Sequence, residues 1–222
     1  MGWIAFAAAF AVFFLTHSIP LRPPVRGWLV ARLGARGFSI GYSVVSLAVL
    51  LWLIAAAGRA PRVGLWDWAV WQNHLVLTAM LAACLILSFG IARPNPFSFG
   101  GARNAEFDPA RPGILRWMRH PVLVAAALWA LAPLLANGDL AHVILFGTFA
   151  GFALLGQVMI DRRKRSQMGA DWARLRPGVA SGPLIPRPES LMGAALRAAA
   201  GLALYGGLLA LHPYLFGAAP LP

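Results

Sequence analysis

The chain has 222 residues, of which 59% are hydrophobic and 12% charged, and it carries a net charge of +12. An ordinary globular protein has roughly a quarter of its residues charged, so a water-soluble fold of this composition would lack the polar groups to cover its apolar surface. Several segments must therefore face lipid, and the single cysteine, Cys84, excludes an intrachain disulfide and a multi-cysteine metal centre.

The first apolar run, Met1 to Leu15, is slightly short for a span of about 20 residues. A secretory leader opens with Lys or Arg, whereas the first basic residue here is Arg22, behind the run, so a retained membrane helix is expected. Thr16-His17-Ser18-Ile19-Pro20 marks its end, followed by Pro23-Pro24 and Arg22, Arg26, Arg32 and Arg36 as a connecting segment. The second span is expected over Phe38 to Ala57, and a turn with Gly58, Pro61 and Gly64 leads to Trp66, Trp68 and Trp71. Such amphipathic rings suit the headgroup level.

The third span runs from about His74 to Ala92, with Cys84 mid-way along it as a small buried hydrophobe. Arg93-Pro94-Asn95-Pro96 and Gly100-Gly101 then predict a loop to Arg119. Spans four and five, His120 to Ala136 and Leu140 to Ile160, form a hairpin across the turn Asn137-Gly138-Asp139. Pro133 within span four should kink it or free a carbonyl for another partner. A polar, proline-bearing tail from Asp161 to Ser190 follows, and then a sixth span, about Leu191 to Phe216, rich in the Ala and Gly that permit close helix packing. The expected fold is all-α: a polytopic membrane bundle of about six transmembrane helices, forming one domain over residues 1–222.

Of the 19 Lys and Arg residues, all but Arg59 and Arg62 fall in the loops after spans one, three and five or, as Arg197, at the start of span six. That asymmetry predicts cytoplasmic basic loops and both termini outside, periplasmic in a Gram-negative bacterium. The positive charge is then topogenic, which excludes the nucleic-acid partner that a basic chain otherwise suggests. The cluster Arg162-Arg163-Lys164-Arg165 also suits acidic lipid headgroups.

The hairpin brings His120 and Asp161 to the same membrane face. An acid at the lipid boundary is costly unless paired, and Arg119, Arg162 and Arg163 are the available partners. Asp161 thus either ends the fifth helix with a structural salt bridge or anchors a cationic or hydroxyl-bearing ligand beside His120. His17 and His120, at one depth on neighbouring helices, either cap helix ends or ligate a haem iron, with nearby arginines such as Arg162 and Arg163 for the propionates. His74, His142 and His212 lie toward the other face, where capping is the simpler reading. The chain has no serine-hydrolase order, phosphate loop, dinucleotide fingerprint or HExxH motif, so hydrolase and ATPase readings find no support.

Three stretches, THSIPLRPPVRGWL, WMRHPVLVAAALWALAPLLANGDLAHVILFG and DRRKRSQMGADWARLRP, resemble the NnrU family, with coverage from His17 to about Pro177. The resemblance implies a bacterial inner-membrane protein linked to denitrification and nitric-oxide metabolism. The family's plant relative, 15-cis-zeta-carotene isomerase, is a membrane enzyme with histidine-ligated haem b. On that basis His17 and His120 are candidate haem ligands, and a redox or isomerase-like role follows; where the family commonly has a histidine in span four, this chain has Pro133. Arg119-His120-Pro121, Asp161 and Ile185-Pro186 are also similar to the hairpin of the isoprenylcysteine and phospholipid methyltransferases. That similarity implies S-adenosylmethionine and a hydrophobic, lipid-like substrate, with Arg119, His120 and Asp161 catalytic. A third expectation is a non-enzymatic assembly factor for a respiratory or denitrification enzyme.

Overall fold

The apolar runs form helices in the computed structural model, which describes residues 2–181, 183–217 and 219–221. Its α-helices are α1 (Gly2–Ser18), α2 (Pro23–Gly58), α3 (Val70–Gly90), α4 (Pro121–Asn137), α5 (Leu140–Met168), α6 (Ala170–Ser181) and α7 (Leu191–Phe216). No strand occurs among the described residues, so the fold is all-α as expected. Four helices, α2, α3, α5 and α7, are long and apolar enough to cross a membrane, which makes this an integral membrane protein. The shorter α1 and α4 have 17 residues each. At 1.5 Å per residue such a helix reaches about 25 Å, less than a hydrocarbon core of about 30 Å.

The chain divides into two compact units, one of Met1–Trp66 with Asp139–Leu145, the other of Asp67–Gly138 with Phe146–Pro222. In the first, α1 packs on α2, burying Phe6, Ala9 and Phe13 together with Leu53, Ala56 and Ala57. The segment Arg22 to Arg36, expected as a connection, is helical from Pro23 onward and continues into the second span. A single helix of 36 residues would overrun the bilayer, and the break comes at Gly34, with φ 70° and ψ 164°. Only glycine adopts that conformation without strain. An arginine-bearing approach helix with exposed Trp28 and Leu33 thus precedes a span of about 24 residues, a sufficient crossing length. In the same unit Asp139 Oδ1 accepts from the amides of Ala141 and His142, and Oδ2 accepts from His142 Nδ1 at 2.5 Å. His142 therefore belongs to the cap of α5.

In the second unit α3 is the central element, packed by both α4 and α7. A Cβ on Gly90 would lie 2.5 Å from Pro121 Cβ, so only glycine lets the end of α3 touch the start of α4. At the other end, buried Gln72 accepts from the Ala69 amide and donates to the carbonyl of Leu135, in the last turn of α4, where intrahelical donors run out. On α7, Gly201 lies against Cys84 and Ser88, as the small-residue content of that span predicts, and Cys84 is buried. Arg197 has a more specific task than topology, since its guanidinium donates to the carbonyls of Ser88 and Ile91 and caps α3. Trp129 of α4 meets Phe146 and Phe149 of α5 edge-on, and α4 continues as a helix through Pro133.

Two further expectations are corrected in this unit. The fifth helix does not end at Asp161 but runs two turns further to Met168, so Asp161 and the basic cluster lie on its flank. The polar tail contains α6, which the sequence reading missed because only one side of it is apolar. Trp172 and Val179 from that side pack with Phe97 of the 93–119 loop, partly covered by Phe107, Met168 and Leu175. This small extramembrane core fixes the loop against the ends of the helices.

Candidate functional site

Pro121 occupies the first turn of α4, where a missing amide hydrogen costs nothing, and His120 is the residue at its N-cap. The His120 carbonyl accepts the first helical bond from Val124, while its ring turns inward and is only 2% exposed. His120 Nε2 lies 3.0 Å from Asp161 Oδ1, so the hairpin does bring the two residues together. A carboxylate accepts, hence Nε2 carries the proton. His120 Nδ1 lies 2.9 Å from Ser98 Oγ, a partner supplied by the 93–119 loop.

Arg119 completes the chain. Its Nε donates to Asp161 Oδ1 at 3.2 Å and its terminal nitrogen to Oδ2 at 2.5 Å, a two-point guanidinium–carboxylate pair. Of the three arginines offered by the sequence as partners for Asp161, Arg119 is the one that pairs. Arg162 and Arg163 directly follow Asp161 on α5 and lie exposed. The Asp161 side chain is 19% exposed and that of Arg119 37%, so the network runs from a buried serine outward to a half-exposed guanidinium.

Asn95 holds the loop in register. Its side chain accepts from the Phe97 amide and donates to the Arg119 carbonyl, and its own amide donates to Asn104 Oδ1. Asn95 is 1% exposed, and every buried side-chain nitrogen or oxygen among the described residues has a partner. Asn95 and Ser98 were missed from sequence. The available signal was a polar Asn-x-x-Ser spacing within the proline-rich stretch Pro94 to Ser98, where an Asn side chain commonly closes a turn on the residue two ahead.

The chemical capacity of the site follows from these bonds. With the ring neutral, Ser98 donates to Nδ1; with the ring protonated, Ser98 accepts from it, so both charge states are satisfied. Ser98, His120 and Asp161 stand in the connectivity of a hydrolase relay, but a nucleophile needs an open face and Ser98 is 3% exposed. His17 lies in the first unit, its Nδ1 donating to the Phe13 carbonyl at 2.8 Å and its ring stacked on Phe13. The Ile185-Pro186 motif is at the surface, with Ile185 exposed. Among the described residues no group of three or more His, Cys, Asp or Glu could hold a metal ion.

These features define a class: a polytopic, all-α membrane protein with a Ser–His–Asp–Arg network, buried at its serine and histidine, where two of its helices leave the apolar layer. The family model described as NnrU protein matches residues 5–220, nearly the whole chain and more than the stretches that carry the resemblance. The chain belongs to the NnrU family. No curated protein and no solved structure matches it.

Proposed function

We propose that this protein is an accessory factor of nitrogen-oxide metabolism in a bacterial inner membrane, with its arginine-rich loops cytoplasmic and a respiratory enzyme as its partner. The NnrU resemblance supplies the metabolic setting. The observation that favours an accessory role is the internal pairing of the site: His120 and Asp161 are engaged by Ser98, Arg119 and each other.

Haem does not fit around His120. Axial ligation needs a ring nitrogen with a free lone pair, yet Nε2 is protonated toward Asp161 and Nδ1 meets the Ser98 hydroxyl. S-adenosylmethionine finds no better support, since three of the roughly four acceptor positions of the Asp161 carboxylate are taken by Arg119 and His120. In this reading the four residues latch the 93–119 loop to α4 and α5 and present a fixed cytoplasmic surface to the partner.

Two measurements test it together. Detergent-purified protein supplied with haem is expected to show no Soret band that depends on His120; a band lost in His120→Ala would overturn the reading. In membranes of a denitrifying host lacking this chain, nitric-oxide reduction is expected to fall and to be restored by the wild type but not by His120→Ala. Unchanged activity in the deleted strain would remove the proposed partner class.

A further inference from the structure

In the first unit, and independent of the accessory reading, the approach helix of α2 combines uncompensated charge with exposed apolar surface. Residues 1–66 contain no Asp or Glu, yet Arg22, Arg26, Arg32 and Arg36 all fall among them. All four are exposed, and none has an ion-pair partner among the described residues. The Arg32 guanidinium lies over the Trp28 ring, 4.5 Å from its centroid, one helical turn away. Across the break at Gly34, the Arg26 guanidinium lies 5.8 Å from the centre of the Phe38 ring. The approach helix is thereby held at the start of the span.

A purely topogenic role needs the charge alone, and an irregular loop meets it. Here the charge is carried on about three helical turns together with Trp28 and Leu33, which are 55% and 56% exposed. Val25, Leu29 and Val30 of the same helix are half-buried, so its apolar surface is only partly covered by the protein. Exposure of a large indole and a leucine to water is unfavourable, and something apolar must cover them. The bilayer is the nearest such material, because the residues after Gly34 enter the span directly. At headgroup level a tryptophan ring meets the acyl boundary while a guanidinium meets phosphate oxygens. A zwitterionic headgroup has no net charge to offset the arginines, whereas an anionic phosphodiester headgroup has one negative charge for each.

We propose that the approach helix lies on the bilayer as an interfacial anchor that gathers anionic phospholipids through Arg22, Arg26, Arg32 and Arg36. Trp28 and Leu33 sink to the acyl boundary, and the left-handed backbone at Gly34 provides the bend between surface helix and span.

The test uses the full-length protein in nanodiscs, in a Cys84→Ser background, with an environment-sensitive fluorophore on Leu33→Cys. Quenching is measured with phosphatidylglycerol or phosphatidylcholine bearing a nitroxide at the headgroup. Phosphatidylglycerol is expected to quench at about a fifth of the mole fraction that phosphatidylcholine needs, the effect of one basic residue at a charged membrane surface. Arg26→Gln/Arg32→Gln is expected to bring the two lipids within about twofold of each other. Arg162→Gln/Arg163→Gln, which removes two exposed arginines from α5, is expected to leave the preference unchanged. Equal quenching by the two lipids in the otherwise unaltered protein, or equal losses in the two arginine variants, would reduce the effect to general surface charge and overturn the proposal. A fluorophore that stays in water with both lipids would overturn it as well and point to an acidic protein as the cover.

Discussion

At the scale of single residues, the energetics of the network rest on Asp161. A carboxylate accepting from Arg119 and His120 neutralises one group and orients the other, and removing its charge leaves the guanidinium half-buried and uncompensated. Asp161→Asn is expected to destabilise the protein by about 2 kcal/mol. Ser98→Ala, which deletes one neutral bond to the ring, should cost about 1 kcal/mol. Thermal unfolding in detergent gives the order, and the double variant Arg119→Gln/Asp161→Asn should lose less than the sum of its singles. Additive losses would show that the pair does not act as a unit. His120, Asp161 and Arg119 were legible as candidates because an acid beside lipid requires a partner. Ser98 and Asn95 were not, since small polar residues in a proline-rich loop follow no period that reveals which way they face.

Elements meet where a side chain is absent. The approach of α3 to α4 at Gly90 and Pro121 sets the position of His120 one residue earlier, so packing inside the apolar layer fixes the geometry of the polar site. Gly90→Val is expected to push the two helices apart, costing about 2 kcal/mol or more by overpacking. Because the strain falls next to His120, proteolysis of the 93–119 loop should quicken in parallel. Cleavage at the wild-type rate in a destabilised variant would uncouple the loop from that contact. The element boundaries in the sequence were clear where apolar runs stop at Gly, as near Asn137 and Phe216, whereas the third run was read to Ala92 and its helix ends at Gly90. They were obscure where helix persists outside lipid, as in the approach helix of α2, the end of α5 and all of α6, because hydropathy reports burial in lipid and not backbone conformation.

For the molecule as a whole, the decisive quantity is the distribution of charge. Seventeen of the 19 basic residues lie in or beside the loops after the first, third and fifth apolar runs, and the proposed orientation follows from that bias. In a Cys84→Ser background, a cysteine at Arg103 is expected to react with an impermeant maleimide only after the membrane is opened. A cysteine at Arg62 should react in intact spheroplasts. The reverse pattern would invert the topology.

Composition and periodicity by themselves determined that this protein lives in a membrane, that it is helical, where most of its apolar runs begin and end, and which charged residues need partners. These properties depend on sums over many residues, which sequence carries directly. The choice of Arg119 over Arg162 or Arg163 for Asp161, the engagement of both His120 nitrogens and the joining of Phe97 with Trp172 were decided by tertiary structure alone. Each depends on the direction of a single side chain, and that direction is set by packing between segments distant in the chain.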